Sequence, residues 1–292
     1  MQLGPLSMRA IQETLHMGNK LPIILPNGAR SKQAQQNTDL NIMDVELDVF
    51  EERVHEHIGF RDCPATLADI TPVARVLSTK IVRCVERKAA GTGFAVPCHK
   101  GCAACCQYLI SLSVPEAFRL VREIMMMPMS QREKIMNRCF QISQWFQKQL
   151  GTCYTAKKPS NGDNLNPQQL KEISEWYFRE GISCPFLCND ECTIYNQRPM
   201  VCREHLVAGS TSPCGNNGAS NLPKVQIPVR IEIALKLMTS KLEQAKQESV
   251  ALPCIFDWFL NNKERYNRVC PAKMLVEYFV KAVYEAEHFR PV

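Results

Sequence analysis

The chain has 292 residues, enough for one large domain or two modest ones, and 45% hydrophobic against 22% charged residues with 13 glycines and 18 prolines is an ordinary globular balance. That balance excludes collagen, low-complexity scaffolds and wholesale disorder, while the formal charge of +6 is too small to mark a polycation. The anomaly is 15 cysteines. At about 5% of the chain they fall below the density of a small disulfide scaffold, and a chain of this length does not need staples to fold.

From the N-terminus, prolines 5, 22 and 26, the Asn27-Gly28 pair and the polar run Arg30 to Asn37 oppose regular structure, so residues 1–43 read as an extended or partly ordered arm. No basic and apolar leader stands out over Met1 to Lys20, and the apolar window Gly101 to Pro115 is shorter than the roughly 18 residues a bilayer span needs. The expectation is a soluble, cytoplasmic protein with no membrane partner, in which thiols stay reduced.

Further along, apolar residues recur at helical spacing: Val73, Val76, Leu77, Ile81, Cys84 and Val85, then Ile135, Cys139, Ile142 and Phe146, then Ile231, Ala234, Leu235, Met238, Leu242 and Ala245. Cys84 and Cys139 fall on these apolar faces and are expected in the core. Ser113 with Glu116, and Ser130 with Glu133, fit capping boxes at helix starts. Asn166-Pro167 opens a helix toward Arg179 that Gly181 closes, and a last helix runs from about Pro271 to His288. No alternating run bounded by turns stands out. The fold is therefore expected to be mainly α, a bundle-like domain over residues 44–223 with the helices of 224–292 packed on it, interrupted by two irregular cysteine-rich loops converging on a metal site.

The first loop reads Cys98-His-Lys-Gly-Cys102-Ala-Ala-Cys105-Cys106, and the second carries Cys184-Pro-Phe-Leu-Cys188, Cys192-Thr-Ile-Tyr-Asn-Gln-Arg-Pro-Met-Val-Cys202-Arg and then Cys214. Gaps of two and three residues let neighbouring thiolates turn toward one metal, and the small residues between them let the backbone wrap it. The adjacent pair Cys105-Cys106 is an exception, because neighbouring side chains tend to diverge. The candidate ligands are Cys98, Cys102, Cys105, Cys106, Cys184, Cys192, Cys202 and Cys214, with the place of Cys188 open. His99 and His205 lie beside candidate ligands and read first as exposed neighbours.

Both loops resemble the zinc- or iron-chelating cysteine-cluster domain family, whose signature is Cys-x3-Cys-x2-Cys-Cys followed by Cys-Pro-Phe-Leu and Cys-x-Ile-Tyr-x-x-Arg-Pro-x-x-Cys-Arg. Flagellin lysine N-methylases are similar in their cysteine motif. The resemblance implies ligands at Cys98, Cys102, Cys105, Cys106, Cys184, Cys192 and Cys202, accompanied by Arg198, Pro199 and Arg203. It departs from the pattern in the long interval between Cys106 and Cys184 and in the additional Cys188.

Seven or eight thiolates exceed one tetrahedral ion, so two zinc sites or one or two iron-sulfur clusters are the cofactors to expect, with a slight preference for iron-sulfur. Lys100, Arg198 and Arg203 could offset the negative charge of such a centre, although Arg198-Pro199 could equally just fix a turn. The functional expectation is a metal-binding protein with a redox or modifying-enzyme role. The alternative is a zinc-stabilised interaction module contacting a protein partner through the basic stretch from Arg119 to Lys158, which carries eight Lys or Arg against Glu123 and Glu133. That stretch lacks the interleaved aromatics of a nucleic-acid platform.

Overall fold

Ile23–Ile24 (β1), Leu40–Val49 (β2) and Glu52–Arg61 (β3) form an antiparallel sheet in the order β1–β3–β2. The computed structural model describes Ile11, Thr14 and residues 22–24, 40–93, 95–150, 167–209 and 224–287. No alternating run stood out in the sequence to announce this sheet, and it draws on residues from both sides of position 43. Val45, Leu47 and Val49 on β2 and Val54, Ile58 and Phe60 on β3 are buried at alternate positions, the period of two that a pleated strand imposes. Between the strands Phe50 and Glu51 adopt φ of 49° and 70°, the left-handed pair whose twist suits a two-residue hairpin turn.

Pro64–Ala65 (β4) and a single 3-10 turn at Leu67–Ile70 lead into Thr71–Gly91 (α1). Then come Ser111–Leu112 (β5), Val114–Met125 (α2), Met129–Leu150 (α3) and Pro167–Arg179 (α4). Leu187–Cys188 (β6) and Glu191–Cys192 (β7) make a small hairpin, followed by Met200–Glu204 (α5) and Ile231–Glu243 (α6). Val250–Ala251 (β8), Ile255–Asn261 (α7), Lys263–Tyr266 (α8), Cys270–Pro271 (β9) and Ala272–Glu287 (α9) complete the chain. β4 pairs with β9 and β5 with β8, each antiparallel. The fold is mainly α. Among the described residues no helix is long and apolar enough to cross a membrane.

The helical spacings translate into burial. On α1, Val73, Leu77, Ile81, Cys84 and Val85 are buried, whereas Val76 is left 38% exposed because it lies at the edge of the stripe. Cys139 is buried on α3, and α4 ends as expected, with Gly181 at φ 63° and its amide donating to the Phe178 carbonyl at 3.0 Å. One start differs: α3 begins at Met129, with the amides of Gln131 and Arg132 both donating to the Pro128 carbonyl at 3.0 Å, so Ser130 lies inside the first turn and not at its cap. The main core joins the sheet, α1, α2, α6, α7 and α9, and Phe118 of α2 meets Trp258, Phe259 and Tyr266 with ring centroids 4.9, 6.1 and 5.4 Å away. A second apolar cluster joins α3 to α4 through Ile142, Phe146, Ile173 and Tyr177, with Trp145 and Trp176 stacked at 4.0 Å.

Glu116 connects these elements to the cysteine-rich part. Its Oε2 accepts from the Ser113 amide at 3.0 Å and the Ser113 hydroxyl at 2.7 Å, the expected capping box of α2, while Oε1 accepts from the Met200 amide at 2.7 Å. One buried carboxyl thus serves the first turns of two helices. Burial pushes its pKa up, against the opposing pull of these donors. Replacing Glu116 by Ala leaves buried donors unmet at both helix starts, and should lower unfolding free energy by about 2–4 kcal/mol in a denaturant titration, more than the roughly 1 kcal/mol typical of one lost cap.

Candidate metal centre

The first cysteine segment is irregular and runs from Ala95 to Ile110, between α1 and β5. Gly101 adopts φ 92°, a conformation natural to glycine, and it follows His99 into a turn closed by the Cys102 amide on the His99 carbonyl at 3.2 Å. A second turn brings the Cys106 amide to the Ala103 carbonyl at 2.9 Å. The Cys105 thiol is pushed up chiefly by the neighbouring Cys106 thiol and then by burial.

The second segment is built around apolar anchors. Phe186 of Cys184-Pro-Phe-Leu, Ile194 of Cys192-Thr-Ile-Tyr and Met200 after Arg198-Pro199 are all buried in the main core, and Cys98, Cys184 and Cys192 pack against that core. Asn189 and Asp190, at φ 49° and 58°, turn β6 into β7 and set Leu187 opposite Cys192 and Cys188 opposite Glu191. Side chains alternate across the pleat, so Cys188 is exposed on the face opposite Cys192.

Backbone hydrogen bonds hold the two segments side by side. The Cys184 amide donates to the Cys106 carbonyl at 2.7 Å, and the Gly209 amide donates to the Ala95 carbonyl at 3.0 Å. Between these ties, thiols from both segments act on one another electrostatically. The Cys202 thiol is pushed well up, first by burial and then by the neighbouring Cys184, Cys105 and Cys192, with Arg198 pulling it back. Cys184 is pushed up to about 12, mainly by burial, and Cys192 and Cys105 also shift upward, Cys105 chiefly through the neighbouring Cys106 thiol. Cys105, Cys106, Cys184, Cys192 and Cys202 are therefore linked by these interactions. Cys98 and Cys102 are partly buried in the same first segment, and Cys214 lies outside the described residues.

The donor set suits a soft cation. Buried thiols that raise one another's pKa are held in an arrangement that favours a positive charge among them, and a bound metal deprotonates its thiol ligands outright. Arg198 contributes part of that charge. Its guanidinium lies 4.2 Å from the Tyr195 ring centroid, and its Nε is buried with no hydrogen-bond partner among the described residues, a donor open to an acceptor near the sulfurs. No three cysteine sulfurs among the described residues lie mutually within 4.8 Å, which is wider than the roughly 3.8 Å between thiolates on one tetrahedral zinc.

Residues 97–219 match the CxxCxxCC family model, described as a putative zinc- or iron-chelating domain. The match covers 123 of the 292 residues. No curated protein and no solved structure matches the chain. The matched region spans both cysteine segments and the α2–α4 interval between them, which packs its aromatic residues against the segments' flanks: Tyr108 stacks on Phe178 at 5.3 Å, and Leu109 and Ile182 join the α3–α4 cluster.

Several neighbours of the matched region's thiols have roles that the motif did not reveal. Arg203 turns away to bind backbone: Nε donates to the Arg198 carbonyl at 3.0 Å, one terminal nitrogen to Thr79 Oγ1 at 2.9 Å and the other to the Asn196 carbonyl. Glu204 accepts from Ser78 Oγ at 3.0 Å and from the Ile231 amide at 2.9 Å, fixing the end of α5 to α1 and to the start of α6. His99 directs Nδ1 to the Lys100 carbonyl at 2.7 Å. His205 is partly buried rather than exposed, and burial lowers its pKa with help from Lys224 and Arg230. Cys139 and Cys254 are both buried, and the Cys139 thiol is pushed well up by burial and then by Cys184 and Cys254, with Arg138 pulling it back. The helical periodicity of Cys139 gave no sign of these neighbours. Arg203→Ala should leave the Asn196 and Arg198 carbonyls without a donor, with faster amide exchange over residues 195–203 and a stability loss of about 2–4 kcal/mol that Arg203→Lys recovers only in part.

Proposed function

We propose that the chelating domain holds iron as an iron-sulfur cluster, drawing its ligands from Cys98, Cys102, Cys105, Cys106, Cys184, Cys192, Cys202 and Cys214, and that the bound cluster has a redox or protein-modifying role. The observation that carries this reading is the mutual influence of Cys105, Cys184, Cys192 and Cys202, four thiols from two segments separated by more than 70 residues of sequence. The number of thiols and their spread favour a cluster, which distributes thiolates over several iron atoms, over a single ion. Such a cluster supplies a one-electron couple whose potential follows net charge, hydrogen bonds to sulfur and exposure. Around it, Phe186, Ile194 and Met200 provide an apolar backing, and Arg198 offsets negative charge.

The basic stretch gives less support to an interaction module. Arg119 pairs with Glu123 at 2.7 Å, Arg122 with Asp69 at 3.1 Å, and Arg132 is buried with a bond to the Met125 carbonyl at 3.1 Å. Each of these cations already has a partner within the chain.

Metal analysis and an absorption spectrum on protein prepared without air test the reading. The expected result is stoichiometric iron and sulfide with a broad band near roughly 400 nm. A colourless protein carrying stoichiometric zinc would reject the cluster in favour of a thiolate zinc site. Cys102→Ser and Cys202→Ser should each lower metal content and melting temperature, whereas Cys84→Ser, in the core of α1, and Cys188→Ser, on the outer face of the β6–β7 hairpin, should keep their metal.

A further inference from the structure

The outer face of the β2–β3 hairpin carries a second set of donors, far removed in chemistry from the thiols. Alternation along each strand places Asp44, Glu46 and Asp48 of β2 and Arg53, His55 and His57 of β3 on this face, and the register sets Asp44 opposite His57, Glu46 opposite His55 and Asp48 opposite Arg53. Asp44 Oδ1 lies 2.5 Å from His57 Nδ1 and 3.7 Å from His55 Nε2, and Glu46 Oε1 is 3.9 Å from the same His55 nitrogen. The two imidazoles meet edge to face with centroids 4.3 Å apart. One ligand atom from each of Asp44, His55 and His57 lies within 4.8 Å of the others.

We propose that this face is a metal site, in which His55 Nε2, His57 Nδ1 and the Asp44 carboxylate bind a divalent ion of the zinc and cobalt class, with Glu46 beside the open coordination position. Two imidazoles and a carboxylate suit zinc and its neighbours better than magnesium or calcium, which prefer oxygen alone. Three protein ligands leave a fourth position open. A tetrahedral ion with ligands at about 2.0–2.2 Å sets its donors roughly 3.3–3.5 Å apart, a value between the two Asp44–histidine distances. Rotation of exposed side chains suffices to reach it.

An ordinary ladder of cross-strand charge pairs would explain Asp48 and Arg53, at 4.0 Å, and no more. Arginine has no lone pair to give. At the next two rungs the basic strand instead presents imidazole nitrogens, which can ligate, and both face the same carboxylate. The backbone beneath is held: Lys80 of α1 donates to the His55 carbonyl at 3.2 Å and pairs with the inward-facing Glu56 at 2.6 Å.

The test uses the full chain without a polyhistidine tag, carrying whatever metal its thiols hold, titrated calorimetrically with Zn2+. The wild type should take up one further equivalent, and Co2+ should broaden the ring resonances of His55 and His57 ahead of those of His99. The equivalent should be lost in the double variant His55→Ala, His57→Ala and weakened in Asp44→Asn, which preserves side-chain shape, while His99→Ala retains it. Thiol-bound metal should be unchanged in all of them, which separates this site from the cysteine centre. Uptake of the extra zinc by the double variant, or ring resonances of His55 and His57 that do not respond to the ion, would overturn the proposal.

Discussion

The short helix α5 is fixed at both ends by buried carboxyls, and the position of Cys202 depends on them. Glu116 reaches from the first turn of α2 to the Met200 amide, and Glu204 reaches from the end of α5 to Ser78 and to the first amide of α6. A helix of five residues has almost no internal hydrogen bonding to sustain it. Without Glu116 the Met200 amide would be unmet in an apolar surrounding, and without Glu204 the end of α5 would lose its ties to α1 and α6. The carboxyls convert a weak local element into part of the core, and the thiol on it acquires a defined place relative to Cys184 and Cys192.

The same economy governs the rest of the cysteine-rich region. Each cysteine segment carries few regular elements of its own, yet apolar residues pack each against the helical frame, and backbone bonds from Cys184 to Cys106 and from Gly209 to Ala95 tie the two segments to each other. Thiolates placed on such a frame would repel one another, which together with burial raises the pKa of Cys184, Cys192 and Cys202. The frame therefore supplies position, and ionisation of these thiols would need a compensating positive charge. Arg203 serves that frame, whereas Arg198, two residues ahead of the helix, faces the thiols themselves.

The cysteine segments were legible because metal-binding spacing is a local property: ligand gaps, an intervening glycine and the Arg-Pro turn all lie within a few residues. Helices with a full apolar stripe were legible for a similar reason. The β2–β3 hairpin was missed although Val45, Leu47 and Val49 alternate with acids, because the inward positions of β3 include Glu56 and Phe50-Glu51 supplies none of the glycine or asparagine that usually advertises a two-residue turn. The approach of Cys139 to Cys184 and Cys254 depends on how α3 packs against segments 45 and 115 residues further on, a relation that periodicity within one helix does not encode.

Among the described residues β2 pairs on one side only, with β3, and a ten-residue strand with an open edge is a template for pairing with another chain. Its free side is guarded. The Glu46 amide donates to the Tyr284 hydroxyl of α9 at 3.2 Å, which occupies one of the edge groups. Asp44, Glu46 and Asp48 add negative charge at every second position, so two copies of this edge repel when they approach. The alternating acids of β2 thus oppose, by charge, the pairing of its edge with a second copy.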